Sequence, residues 1–303
     1  MAEEKKEIIT TPEIKEDPDQ ISKYDPEMRF RRLTGITAKL IFAMTIVLSI
    51  FHIYTAGFGV LQEWRHRAFH LAFVLPLVFF VYAMKKEVHL KGAKHLFYDV
   101  LYAAVAAMLN TAIFREILAL SFGASAVLAA ATFALVLYFK QRENLPLGLT
   151  AFVDFPIYTA MVGFIFYMAW LGYAHLNIRS WFEDLNPELV FWGLFLLGIF
   201  CAIIALFLFN WVRMLVAVAR ERAAADYRLD NVPYFDVFFA LMACLISVFV
   251  FVEFHNIGLR AGSPDLAELV VGSFSFLLIL EGARRSIGAP LPIIAMLVLI
   301  NCY

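Results

Sequence analysis

The sequence predicts an all-α fold: a polytopic helical membrane protein with about eight transmembrane helices, an incomplete ninth helix and a cytoplasmic N-terminus. Composition is the first reason, because 62% of the 303 residues are hydrophobic and only 17% are charged, whereas soluble domains have about 25% charged residues. Long uncharged runs are the second reason, since about 20 apolar residues suffice to cross a bilayer as a helix. The distribution of Lys and Arg between these runs is the third.

Residues 1–33 form a polar tail with a basic, aromatic end. The tail is too polar to pack a core and too acidic for a cleaved signal peptide. Near its end, Arg29, Arg31 and Arg32 are expected at the lipid headgroups on a short interfacial helix. The apolar segments that follow are predicted at 36–56, 68–84, 96–114, 117–139, 150–174, 189–218, 232–254 and 266–280, with the incomplete ninth starting near Ile287.

Lys and Arg are concentrated in alternate loops between these segments. With the N-terminus inside, 17 of them fall in inner regions and five in outer loops. Cytoplasmic loops of membrane proteins carry such an excess of positive charge. Because one segment more or fewer would destroy the alternation, the sequence favours eight spans with both chain ends in the cytoplasm.

Three predicted spans begin on the cytoplasmic side with an aspartate beside an aromatic residue: Asp99, Asp154 and Asp236. An acidic residue at that position can cap free backbone N–H groups and face the positive end of the helix dipole. A role as cation or proton ligand is the alternative. Capping is favoured, because each aspartate lies at an interface and not at mid-membrane depth.

Histidines and one glutamate gather at the predicted outer helix ends. His52, His66 and His70 belong to this group, and imidazoles on several helices could ligate a b-type haem or line a quinol site. Amphipathic rings are also at home at an aromatic outer interface. Glu253, inside its predicted span, needs a polar partner, for which His70 is a candidate, and an inter-helix polar contact is the preferred interpretation.

Motifs of common enzymes are missing from the sequence. It contains no Walker loop, no G-x-S-x-G, no H-E-x-x-H and no Rossmann glycine pattern. Cys201, Cys244 and Cys302 lie far apart in apolar runs, which is typical of small core residues and not of disulfides or zinc ligands. We therefore expect no enzymatic activity, no cofactor, no metal ion and no nucleic-acid partner.

The C-terminal stretch combines a charged helix end with a helix break. Glu281 precedes Arg284 and Arg285 by three and four positions, so all three lie on one helical face. Two arginines suit both the C-terminal end of the helix dipole and the cytoplasmic membrane surface. Gly288 and the prolines after it then redirect the chain. On physical grounds alone, this is a charged turn between two membrane helices.

The same stretch resembles a junction found in a transporter family. The matching residues are L-I-L-E at 278–281, Arg284 and Arg285, I-G at 287–288 and L-P-I-I-A at 291–295. This order is similar to the junction in fused permeases of the tripartite ATP-independent periplasmic (TRAP) transporters, in the branch that works with TAXI-type binding proteins. There, the junction joins a small four-helix membrane part to the large transport part.

The resemblance covers about residues 24–90 and 230–303, roughly half of the chain. It divides the sequence into a tail at 1–33, two small-permease-like helices at 34–90, an inserted four-helix membrane segment at 91–229, two further small-permease-like helices at 230–287, and the truncated start of a following membrane region at 288–303. The family has a short loop where this chain has the insertion. Four extra spans are an even number, so the flanking helices keep their sidedness.

The resemblance implies a multi-pass scaffold in the cell inner membrane, part of a secondary transporter that takes up organic solutes, often carboxylates. Its implied partners are a large TRAP permease subunit or domain, which carries the ion and substrate sites, an extracytoplasmic TAXI-type solute-binding protein and the lipid bilayer. A truncated fragment of a longer fused permease and a membrane-anchored b-haem or quinone redox subunit are the alternatives.

Overall fold

The computed structural model describes most of the chain after the polar tail. Its described residues are 30–31, 33–59, 61–83, 93–142, 145, 147–175, 187–219, 232–259, 262–288 and 290–302. The acidic part of the tail, the predicted cytoplasmic loops at 84–92 and 220–231 and the outer loop at 176–186 lie outside the described residues.

Nine α-helices follow one another in the described part of the chain. They are α1 (Gly35–Phe58), α2 (Glu63–Val81), α3 (Ala93–Leu118), α4 (Phe122–Gln141), α5 (Leu147–His175), α6 (Pro187–Ala219), α7 (Tyr234–Leu259), α8 (Leu266–Ser286) and α9 (Pro290–Cys302). Each overlaps one of the predicted apolar segments.

Five of the described helices are long and apolar enough to cross a membrane. They are α1, α4 and α7, together with most of α5 and α6. The predicted all-helical fold with membrane-length apolar helices is therefore confirmed. Among the other described helices, α9 has 13 residues and is shorter than a full span.

Local sequence explains where α8 begins and where the chain turns afterwards. Asp265 accepts a hydrogen bond from the backbone N–H of Leu266 at 2.7 Å, and Glu268 accepts one from the backbone N–H of Asp265 at 2.9 Å. The Asp265 side chain also accepts from the backbone N–H of Glu268, and this bond forms a capping box together with the one from Asp265 N–H to Glu268, which satisfies donors that the first turn leaves free. At the other end Gly288 has φ 113°, a left-handed conformation that glycine adopts without strain.

Helix α7 forms the centre of the bundle. Of its apolar window 61% of the residues are buried, against 11% in α4. It packs mainly against α2 and α6, with α5 and α8 alongside. At the predicted outer end, the rings of Phe51 and Phe69 stack with centroids 4.0 Å apart, and Trp192 meets Phe51 edge-on at 4.9 Å. This aromatic cluster joins α1 and α2 to α6.

The chain leading into α1 is extended where the sequence predicted an interfacial helix. Phe30 forms an isolated antiparallel bridge with Tyr82, and the Arg31 N–H donates to the Val81 carbonyl at 2.8 Å. The helix prediction is wrong for these two residues, because the backbone groups at the end of α2 offer them hydrogen-bond partners. Arg29 and Arg32 lie outside the described residues.

Candidate functional site

Buried charges meet at the predicted cytoplasmic ends of the helices, and Asp236 lies at their centre. Arg285 Nη1 donates to Asp236 Oδ1 at 2.7 Å, and both side chains are completely buried. The Arg31 guanidinium binds the other carboxylate oxygen, Oδ2, and its Nη1 also donates to the Phe79 carbonyl at 3.1 Å. One carboxylate at the start of α7 thus ties the lead-in of α1 to the end of α8.

Glu281 connects α8 with α3. Its carboxylate accepts from Arg284 Nε at 2.7 Å, from Arg285 Nε at 2.7 Å and from the Tyr102 hydroxyl at 2.7 Å. The three charged residues at the end of α8 therefore contact one another, as their spacing predicts. Arg285 lies between two carboxylates, those of Glu281 and Asp236, which makes it the common member of both ion pairs.

Cations from two helices surround the Tyr102 ring. Lys140 Nζ lies 4.5 Å from the ring centroid and Arg284 Cζ lies 4.9 Å from it, within the range of cation–π attraction. Next to this ring, Gln141 Nε2 donates to Asp99 Oδ2 at 2.6 Å. The end of α4 is thereby attached to the beginning of α3 and, through Tyr102, to α8.

Asp154 forms a second buried ion pair, which links α4, α5 and α7. Arg142 donates to Asp154 Oδ2 from Nη2 at 2.6 Å and from Nε at 2.8 Å. The hydroxyls of Tyr138 and Tyr234 each donate to Oδ1 at 2.8 Å. Because the carboxylate is fully buried, these four bonds replace the water that it would otherwise bind.

These contacts correct the capping interpretation of the aspartates. Asp236 lies in the first turn of α7, but its oxygens bind arginines. Asp99 and Asp154 lie well inside α3 and α5, beyond the first turn where backbone N–H groups are free. Capping is therefore wrong for these two, whose carboxylates instead bind side chains of α4 and, for Asp154, α7.

At the opposite end of the bundle, two histidines contact each other. His52 Nε2 lies 3.0 Å from His70 Nδ1, and the ring of His66 lies 6.0 Å from that of His52. The partner of His70 here is thus His52, which the sequence did not indicate. Glu253 is buried in α7 and engaged in an interaction of its own. Within the described ranges, no group of three or more His, Cys, Asp or Glu is placed to hold a metal ion.

Sequence reasoning found the acidic members of the cytoplasmic cluster but missed most of their partners. The positive-inside count placed Arg31, Lys140 and Arg142 on the same predicted side as the aspartates without indicating what they bind. Tyr102, Tyr138 and Tyr234 carried no signal, because a tyrosine in an apolar run looks like any other core aromatic. After the predicted side of the membrane, we name the whole set the cytoplasmic network: Arg31, Asp99, Tyr102, Tyr138, Lys140, Gln141, Arg142, Asp154, Tyr234, Asp236, Glu281, Arg284 and Arg285.

Chemically, the cytoplasmic network is suited to holding helices together. Both oxygens of Asp154, Asp236 and Glu281 accept hydrogen bonds from cationic or hydroxyl groups, so these carboxylates have little capacity left for a ligand. The fold and this network define a helical membrane-type bundle whose ends on one side are joined by buried ion pairs.

Comparisons with known protein families, with curated proteins and with solved structures found no match to this chain.

Proposed function

We propose that this chain is a multi-pass scaffold of a TRAP-type secondary transporter, corresponding to the small-permease part with a four-helix insertion. In this proposal it crosses the inner membrane eight times, and α9 begins the region that follows. The carboxylate-transporting machinery, with its ion and substrate sites, belongs to a large permease subunit or domain. A TAXI-type binding protein delivers the solute from outside.

One observation carries the proposal. The residues through which the sequence resembles the TRAP junction, Glu281, Arg284 and Arg285, are the same residues that bind α8 to its neighbours. In a simple charged turn they would be free to point into water. Here they hold the junction rigidly against α3 and α7, which is what a fixed support for a moving partner needs.

The inserted segment takes part in the same support. Tyr102 comes from α3 and bonds to Glu281 of α8, while Asp154 of α5 bonds to Tyr234 of α7. Both contacts cross between the insertion and the small-permease-like helices. A loosely tethered insertion would lack such buried polar links, so we propose that residues 91–229 extend the scaffold.

Copurification tests this proposal. The full chain, tagged at its N-terminal tail, is isolated in mild detergent from its native membrane, and associated proteins are identified by mass spectrometry. The proposal expects a large multi-pass permease to copurify, together with an extracytoplasmic binding protein. Isolation of the chain without any large permease, under conditions that keep other membrane complexes intact, would contradict it.

A matched variant makes the test specific. In Glu281→Gln the junction loses its negative charge, and Arg284 and Arg285 each lose an ionic partner, so we expect the permease to be recovered in lower yield. Glu63→Gln removes an acid of the same type from an exposed ion pair at the opposite end and should leave the yield unchanged. Equal loss in both variants would contradict a role of the junction.

A further inference from the structure

A groove runs between α2, α7 and α8 from the predicted outer end of the bundle to beyond its middle. It consists of two adjoining cavities of about 170 Å³ and about 580 Å³. Trp64, Ile246, Val250 and Ser275 line both of them, so the cavities form one continuous space. The groove begins at the end of the molecule opposite to the cytoplasmic network, extends as far as Leu75 and Ile279, and is built from side chains that do not belong to that network.

The groove is polar at its rim and apolar along its length. Trp64 and Arg67, in the first turns of α2, stand at the predicted outer interface, with the Arg67 Cζ 5.8 Å from the Trp64 ring centroid. Further along, the walls are aliphatic, among them Leu75 of α2 and Ile279 of α8. Tryptophan and arginine at the interface with apolar groups below match the polarity of a lipid molecule.

The side of the groove that faces the membrane is not closed by protein in the described part of the chain. Leu71 and Ile279 flank the first cavity and are 38% and 42% exposed. At Gly272, which lines the second cavity, an added Cβ would meet no atom within 4 Å. In a bilayer, apolar chains of the surrounding lipid have direct access to this space.

We propose that the groove binds a membrane phospholipid, with one acyl chain between α7 and α8 and the phosphate at Arg67. A guanidinium forms strong charge-assisted hydrogen bonds with a phosphate. The partner of Arg67 is Glu63, in an ion pair whose side chains are 61% and 72% exposed. Exposed pairs of this kind contribute little, so the guanidinium can exchange Glu63 for phosphate at small cost.

Native mass spectrometry provides the test. The full chain is reconstituted in vesicles of phosphatidylethanolamine and phosphatidylglycerol in equal amounts, extracted in mild detergent, and the phospholipid retained per chain is counted. The unaltered chain should retain one phospholipid more than Gly272→Leu, in which leucine fills the groove. Gly198→Leu is the matched control, because its Cβ position on α6 is equally open, and it should retain the lipid.

Two further variants separate headgroup binding from groove filling. Arg67→Gln should lower the affinity for the retained lipid by about tenfold, as expected for one lost charge-assisted hydrogen bond. Glu63→Gln, which frees Arg67, should not lower it. Where Gly272→Leu fails to fold, Ser275→Leu fills the same space from one turn further along α8.

Two results would overturn the proposal. One is equal lipid retention in the unaltered chain, Gly272→Leu and Arg67→Gln. The other is unchanged lipid retention in Gly272→Leu, when the same variant isolated from its native membrane has lost a membrane protein that copurifies with the unaltered chain. That result would assign the groove to a protein partner. Because this experiment measures bound lipid, a negative result would contradict the lipid proposal alone. It would leave the copurification test of the scaffold role unaffected.

Discussion

Arg285 Nη1 and Asp236 Oδ1 lie 2.7 Å apart, and neither side chain is exposed. The arginine is the last charged residue of α8 and the aspartate belongs to the first turn of α7, so this bond fixes two helix ends that are 49 residues apart in the chain. Removal of one partner from such a buried pair reduces the compensation of the other charge. The pair is therefore a sensitive point of the cytoplasmic network.

Arg285→Ala should lower the free energy of unfolding by about 3 kcal/mol, the lower end of the range for a broken buried ion pair. The lower end applies because Arg31 still compensates Asp236 and Arg284 still compensates Glu281. Unfolding in mixed micelles with increasing denaturing detergent, followed by circular dichroism, measures the change. Glu63→Ala, in an exposed pair, should cost less than about 1 kcal/mol. Similar losses in both variants would show that burial does not matter here.

Asp154→Asn should destabilise the bundle by about 3 kcal/mol, because the buried Arg142 then loses the carboxylate that its guanidinium binds at two nitrogens. Tyr138→Phe and Tyr234→Phe each remove one hydroxyl donor to the same oxygen and should cost about 1 kcal/mol. When the three variants are measured by the same unfolding assay, Asp154→Asn should therefore lose the most stability. A tyrosine variant as damaging as Asp154→Asn would contradict this order.

Gly282→Val should loosen the contact between α8 and α2. A Cβ at this position would lie 3.1 Å from Leu75 Cδ1, closer than side chains normally approach, and valine adds two further methyl groups. Overpacking of this kind costs about 2 kcal/mol. Gly163→Val, at an open position of α5, is the control and should leave stability nearly unchanged. Equal thermal stability of the two variants would count against the close helix contact.

The predicted sidedness can be read by labelling single cysteines in intact cells, in a chain whose three cysteines are replaced. Gln62→Cys, exposed between α1 and α2, should react with a membrane-impermeant maleimide added outside. Lys86→Cys, in a predicted cytoplasmic loop outside the described residues, should react only after permeabilisation. Labelling of Lys86→Cys from outside would reverse the topology and remove the basis of the resemblance to TRAP permeases.

An absorption spectrum distinguishes the scaffold from the alternative of a b-type haem protein. Because His52 Nε2 is already hydrogen-bonded to His70 Nδ1, we expect the purified protein to lack the absorption band of a reduced b-type haem. Dithionite difference spectra of the detergent-extracted chain measure this directly. A band that disappears in His70→Leu would instead establish the redox role and exclude the scaffold as the sole function.

The approximate positions of the described helices could be predicted, whereas contacts between helices could not. The segment at 150–174 corresponds to α5, because a long run of apolar residues is a local property. The partner of Asp154, in contrast, depends on how far α4 extends and on which side of α7 Tyr234 lies. Both are consequences of packing, which leaves no periodic trace in an apolar sequence. The prediction of a helix at Phe30 and Arg31 failed for the same reason, because their extended backbone depends on contacts with the end of α2.

The sequence by itself determined the helical class with membrane-length apolar segments, the order of those segments, the concentration of positive charge in alternate loops and the shared face of Glu281, Arg284 and Arg285. Only the tertiary structure decided that these charges are buried against α3 and α7, that Asp154 binds Arg142, and that His52 binds His70. The physical reason is that hydropathy and helical spacing act over neighbouring residues. A buried charge, however, is stable only when the fold brings an opposite charge from a distant part of the chain within hydrogen-bonding distance.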